Sequence, residues 1–189
     1  YTYMWSNGTN NQNLIDEIDG QHIVRVSDNK GCVRRDTLEL IEPLAISFIS
    51  SNIDVDCYGA QNGEINVTTS GGTPTYNYYW SNTETTESLN GLSGGFYQLT
   101  VTDDNGCTKQ LGVSVIEPQA LQAAIANTTN VSCKELCDGE LASFGTGGVA
   151  PYTYLWNDDL LQIDDTAVGL CDGNYLLTVT DVNDCNAYA

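Results

Sequence analysis

"FYQLTVTD", residues 96–103, decides the fold. Read two residues at a time, it puts Tyr97, Leu99 and Val101 on one side and Gln98, Thr100 and Thr102 on the other, the alternation of a strand with one buried face. Residues 175–181 repeat the pattern with Tyr175, Leu177 and Val179. Upstream, "YNYYW" at 76–80 sends Tyr76, Tyr78 and Trp80 to one side. "GEINVTTSGG" at 63–72 sends Ile65 and Val67 inward before Gly71 and Gly72 break the strand. No window carries the stripe of an amphipathic helix. Short strands between Gly, Asn, Asp and Pro turns predict an all-β, immunoglobulin-like antiparallel sandwich, with a Trp from an early central strand filling the core.

The strands belong to a repeating unit of about 75 residues, found by sliding the sequence along itself. Trp5, Trp80 and Trp156 are 75 and 76 residues apart, Cys32, Cys107 and Cys185 are 75 and 78 apart, and Cys57 and Cys133 are 76 apart. "IEP" occurs at Ile41–Pro43 and again at Ile116–Pro118. Residues 1–50 and 76–125 share 15 identities, where chance gives roughly 3. Cutting after each "EP" gives the back part of a truncated unit (1–43), a complete unit (44–118) and a nearly complete one (119–189). The chain therefore reads as a window on a longer array. Trp5, Trp80, Trp156, Tyr97 and Tyr175 are the expected structural core.

The charge limits what such an array can touch. Six Lys and Arg stand against 25 Asp and Glu, a formal net charge of -19. Nucleic acid and anionic membrane surfaces are repelled across the whole surface. No run reaches the roughly 18 apolar residues of a membrane span, so membrane insertion is not expected. Polycations, calcium and neutral glycans remain compatible.

Seven Cys in such a chain suggest an oxidising compartment. Cys57 precedes the second strand of its unit and Cys107 opens the last. A bridge between them would close a loop of about 50 residues and contribute roughly 4 kcal/mol. The equivalent bridge is Cys133 to Cys185. Cys137 and Cys171 stand where the complete unit has Gln61 and Ser93, and two Cys gained together suggest a local disulfide. Four Cys in one unit allow three connectivities, and a four-cysteine zinc site is the rival reading. The partner of Cys32 is expected outside the window, about 18 residues before Tyr1 by the 76-residue offset.

Catalytic chemistry finds little purchase. The only His, His22, aligns with Tyr97 and Tyr175 and reads as their structural substitute. No phosphate-binding glycine loop occurs. Acidic pairs that could serve glycoside hydrolysis lie in turns, with no insertion to wall a pocket. Asp103, Asp104 and Asp181 are weak calcium candidates. Lys30 occupies the same turn in the first unit and opposes a cation, and ordinary turn chemistry explains the residues as well. A junction variant would use Glu117 with Asp54 or Asp56. Tyr79, matched by Met4 and Leu155, points outward and could form an apolar strip. No cofactor other than calcium is implied.

"GGTPTYNYYWSN" (71–82), "LNGLSGGFYQLTVTDDNGCT" (89–108) and "VIEP" (115–118) resemble the SprB repeat, the tandem unit of large gliding-motility adhesins on the surface of Bacteroidota. "YTYMWSNG" and "VSDNKGC" carry the likeness into the first unit, and "PYTYLWND" and "YLLTVTDVNDC" into the third. Departures are His22 for Tyr, Asp184 for the turn Gly, and the extra Cys pair. The resemblance implies a non-enzymatic stalk or filament repeat, type IX secretion, and an outer-membrane-attached position at the cell surface. Its implied partners are a surface polysaccharide or substratum, neighbouring repeats, and the gliding machinery through regions outside this chain. It also makes Thr37 in "DTL" and Thr166 in "DTA" candidate O-glycosylation sites. The rival reading is an accessory, carbohydrate- or calcium-binding module of a secreted polysaccharide-degrading enzyme.

Overall fold

The computed structural model describes residues 1–133 and 135–189, and every regular element among them is a strand. In the complete unit, β4 (Ser47–Ile53), β5 (Gly63–Ser70) and β7 (Leu89–Leu92) form one antiparallel sheet. The other contains β6 (Asn77–Trp80), β8 (Gly95–Thr102) and β9 (Thr108–Val115), in the order β6-β8-β9. The third unit repeats the plan. There β10 (Gln122–Thr129), β11 (Gly139–Thr146) and β13 (Thr166–Leu170) make one sheet, and β12 (Thr153–Trp156), β14 (Leu177–Thr180) and β15 (Asn186–Tyr188) the other. The first stretch supplies a single sheet, β1 (Thr2–Trp5), β2 (Gly20–Ser27) and β3 (Val33–Leu40).

Period-two alternation places the core. Ile65 and Val67 of one sheet meet Trp80, Leu99 and Val101 of the other, all buried. Trp156, Leu177 and Val179 repeat this in the third unit, with Ala167 and Leu170 from the facing sheet. Burial removes the indole N–H from water, so it needs an acceptor. Trp80 Nε1 donates to the Thr86 carbonyl at 2.8 Å, Trp156 Nε1 to Asp164 at 3.0 Å and Trp5 Nε1 to Asn11 at 2.9 Å. The expected central strand for Trp80 is corrected: β6 is an edge of its sheet and β8 is central. Trp80 still reaches the core because the side chain faces inward from the edge and closes the gap between the sheets.

Gly71 and Gly72 end β5 with φ of +72° and +63°. A Cβ on Gly71 would collide with the Ala45 carbonyl, and one on Gly72 would meet Ile46 and the Asp103 carboxylate. Gly147 and Gly148 do the same against Ala120 and Asp181. Only glycine tolerates both the positive φ and the close passage, so this pair fixes where the chain enters each sandwich.

That geometry gives each sandwich two poles. At the entry pole of the complete unit lie Leu44, the glycine pair and the β8–β9 turn, tied by Thr73 N–H to Asp103 Oδ2 at 2.9 Å. At the exit pole lie the start of β5, the end of β9 and residues 54–60. There Val55 N–H donates to the Ile116 carbonyl at 2.9 Å.

Candidate functional site at the junction of two units

The segment Ile116-Glu117-Pro118 leaves the second unit across its own exit pole. Asp54 Oδ1 accepts the Ile116 N–H at 2.9 Å, and Glu117 Oε1 accepts the Gly59 N–H at 2.7 Å. These two acids thus serve as backbone acceptors. Pro118 has no N–H to satisfy and restricts the residue before it to extended conformations. The chain then enters the third unit directly, with Gly148 N–H on the Gln119 carbonyl at 2.8 Å.

A second connection crosses this junction. Cys57 at the exit pole of unit two is bonded to Cys185 at the entry pole of unit three, with Cα atoms 5.8 Å apart across a sequence separation of 128. Beside it, Asn183 Nδ2 donates to the Asp56 carbonyl at 2.9 Å. The other disulfide joins Cys137 to Cys171 within unit three. Cys32, Cys107 and Cys133 are exposed free thiols.

The expected bridges Cys57–Cys107 and Cys133–Cys185 are therefore not formed, and the reason is geometric. Cys107 immediately precedes β9 at the entry pole, whereas Cys57 lies at the exit pole where β9 ends. The eight residues of β9 separate the poles by roughly 24 Å at strand rise, and a disulfide needs Cα atoms within about 7 Å. Cys133 and Cys185 are divided by the same body of the third sandwich.

Each sulfur is presented by a built turn. In the entry turn, Asp181 Oδ1 accepts the N–H groups of Asn183 at 2.9 Å and Cys185 at 3.0 Å, and Oδ2 accepts Val149 N–H at 2.8 Å. Burial pushes the Asp181 carboxyl up, but the N–H groups of Val149, Cys185 and Asn183 together hold it below the ordinary carboxylate range. Asp103 is lowered chiefly by the Thr73 N–H, helped by those of Cys107 and Asn105 and opposed by burial. Of the three calcium candidates, Asp103 and Asp181 are buried and hydrogen-bonded by backbone donors, while Asp104 is exposed and donates its own N–H to the Thr73 carbonyl at 3.0 Å. Among the described residues no three acidic, His or Cys side chains gather into a metal-sized group.

The tyrosine positions hold the opposite ends of the same strands. Tyr97 OH donates to the Ser93 carbonyl and Tyr175 OH to the Cys171 carbonyl, each at 2.9 Å. His22 Nε2 meets the Ile18 carbonyl at 3.0 Å, again four residues back. A carbonyl only accepts, so Nε2 carries the proton, and His22 reproduces the tyrosine latch. Glu17 lies 3.7 Å from Nδ1. Sequence alignment located this substitution; the shared latch itself has no signal beyond the four-residue spacing.

The remaining candidates lie on the outside. Thr37 is exposed on β3, and Thr166 is half-buried at the start of β13, its hydroxyl donating to Asp165 Oδ1 at 3.0 Å. Met4, Tyr79 and Leu155 are 55%, 58% and 48% exposed, so the three equivalent positions all face solvent.

Residues 52–85 and 125–160 match the family model described as the SprB repeat. No curated protein matches the chain. Among solved structures, the whole chain aligns with a Dscam structure determined for isoform specificity at 12% identity and TM-score 0.33, covering 63% of that chain. It aligns with the N-terminal four Ig domains of Dscam1 isoform 9.44 at 16% identity and TM-score 0.33, again over 63% of that chain. A tetra-tandem repeat from the extending region of a large adhesion protein aligns at 16% identity and TM-score 0.31, over 64% of its length and all of this one.

Proposed function

We propose that this chain, whose second and third units carry SprB repeats, is a non-enzymatic stalk segment of an extracellular surface adhesin used in attachment and gliding motility. The observation that carries this reading is the junction. Two sandwiches meet with no Gly/Ser linker and are joined by the Glu117-Pro118 backbone and by Cys57–Cys185. Tension applied along the chain passes through strand ladders and then through a doubly connected joint, so little extensible coil is present to lengthen first. The charge of -19 keeps neighbouring stalks apart.

In this reading the chain is exported by the type IX route and stands on the outer membrane. Its distal regions meet a polysaccharide or substratum, and its base engages the gliding machinery. Thr37, exposed on β3, is the more accessible of the two glycosylation candidates. The test is live-cell fluorescence with an antibody against residues 44–118. Signal travelling along the surface of moving cells is expected. Label confined to the culture medium would reject the reading and favour an accessory module of a secreted polysaccharide-degrading enzyme.

A further inference from the structure

The three free thiols are built like the bonded pair. The entry turn of Cys185 is closed by Asp181 N–H to the Cys185 carbonyl at 3.0 Å and by Cys185 N–H to Asp181 Oδ1 at 3.0 Å. Cys107 has both bonds to Asp103, at 3.0 and 2.8 Å, and Cys32 has both to Asp28, at 3.0 and 2.8 Å.

The exit turn of Cys57 is held by Ala60 N–H on the Cys57 carbonyl at 3.0 Å and Asp56 N–H on Asn62 Oδ1 at 3.2 Å. Cys133 has the counterparts, Leu136 N–H on its carbonyl at 3.1 Å and Ser132 N–H on Asp138 Oδ1 at 2.9 Å. Five cysteines therefore occupy two kinds of site, entry (Cys32, Cys107, Cys185) and exit (Cys57, Cys133). The one exit site that faces an entry site in this chain is bonded to it.

We infer that Cys133 and Cys107, with Cys32 as a second entry site, are halves of this same cross-link, each made to the complementary cysteine of an adjoining repeat. The rule is exit to entry between successive sandwiches, never within one. It goes beyond the stalk reading, since it concerns bond connectivity whatever the repeats adhere to. Each link forms as two thiols give up two protons and two electrons to a small-molecule disulfide, which leaves as two thiols by exchange through a mixed disulfide.

For this chain alone, the adjoining repeat is supplied by a second copy. The test is oxidation of the chain with glutathione disulfide, followed by non-reducing electrophoresis and mapping of the linked peptides. Reducible multimers are expected, with every intermolecular link joining Cys133 to Cys107 or Cys32, and Cys57–Cys185 retained. Because Cys133 is the only free exit thiol among the described residues, Cys133→Ser should return the chain to monomer mass. Multimers that persist in Cys133→Ser through links between Cys32 and Cys107 would overturn the rule. So would the absence of multimers from the parent chain, or peptides joining Cys57 to Cys107. Antibody tracking on cells is indifferent to all of these outcomes, so failure here leaves the adhesin reading to its own test.

Discussion

Gln61 Nε2 donates to Ser93 Oγ across 3.4 Å in the second unit, at the two positions where the third unit has the bonded pair Cys137 and Cys171. One repeat uses a long hydrogen bond where its neighbour uses a covalent one. The backbone beneath is therefore shared, and the local disulfide is an addition to a contact that already existed.

Introducing that bond into unit two is the first prediction. Gln61→Cys with Ser93→Cys should form a disulfide closing a loop of about 30 residues, raising stability by up to about 4 kcal/mol. Calorimetry with and without reductant measures it, and an unchanged melting temperature on oxidation would count against the equivalence.

The latch of His22, Tyr97 and Tyr175 makes a second. Tyr97→Phe removes the donor and leaves the Ser93 carbonyl without it, costing about 1 kcal/mol. His22→Tyr should retain stability, while His22→Phe should lose a similar amount to Tyr97→Phe. Urea unfolding midpoints separate these cases.

Acid titration follows from Asp103 and Asp181. Both carboxyls lie below their ordinary range in the folded protein, so the unfolded chain takes up protons at higher pH than the folded one. Their contribution is fully present above about pH 5, and it is lost as pH falls through the folded values. Asp103→Asn should flatten the dependence of the urea midpoint on pH in that acid window, and adding Asp181→Asn should flatten it further. Slopes equal to the parent's would refute this.

Neighbouring residues on β6 give the sharpest contrast in stability. Trp80 is fully buried and Tyr79 is 58% exposed. Trp80→Ala should cost about 3–5 kcal/mol through the cavity it opens, whereas Tyr79→Ala should change stability by about 0.5 kcal/mol or less. Equal effects would mean that the inward and outward faces have been misassigned.

The alternation at Tyr97, Leu99 and Val101 made strand identity and inward face legible, because a two-residue period has only one reading once one face is apolar. The spacing of Trp5, Trp80 and Trp156 made the unit legible for the same reason that rare residues align well. Connectivity between cysteines was not legible in this way. Sequence distance shows that Cys57 and Cys107 could close a loop, but it does not say at which end of the sandwich each sulfur stands. β5 and β8 each run from the exit end to the entry end while β6 and β7 share the single return, so three passes separate the two sulfurs and leave them at opposite ends. The carboxylates followed a related logic. Asp103 and Asp181 read as oxygen ligands because turns gather oxygens, and the structure adds that the same turns gather the backbone N–H groups these carboxylates accept.

The Cys57–Cys185 bond also changes what the joint can do in rotation. Two bodies joined by one thread can swivel freely about it, so twisting one leaves the other at rest. A second tether away from the first abolishes the swivel. Torque applied to the second sandwich is then delivered to the third, and a chain of such joints would carry rotation as a drive shaft does, in addition to bearing a pull.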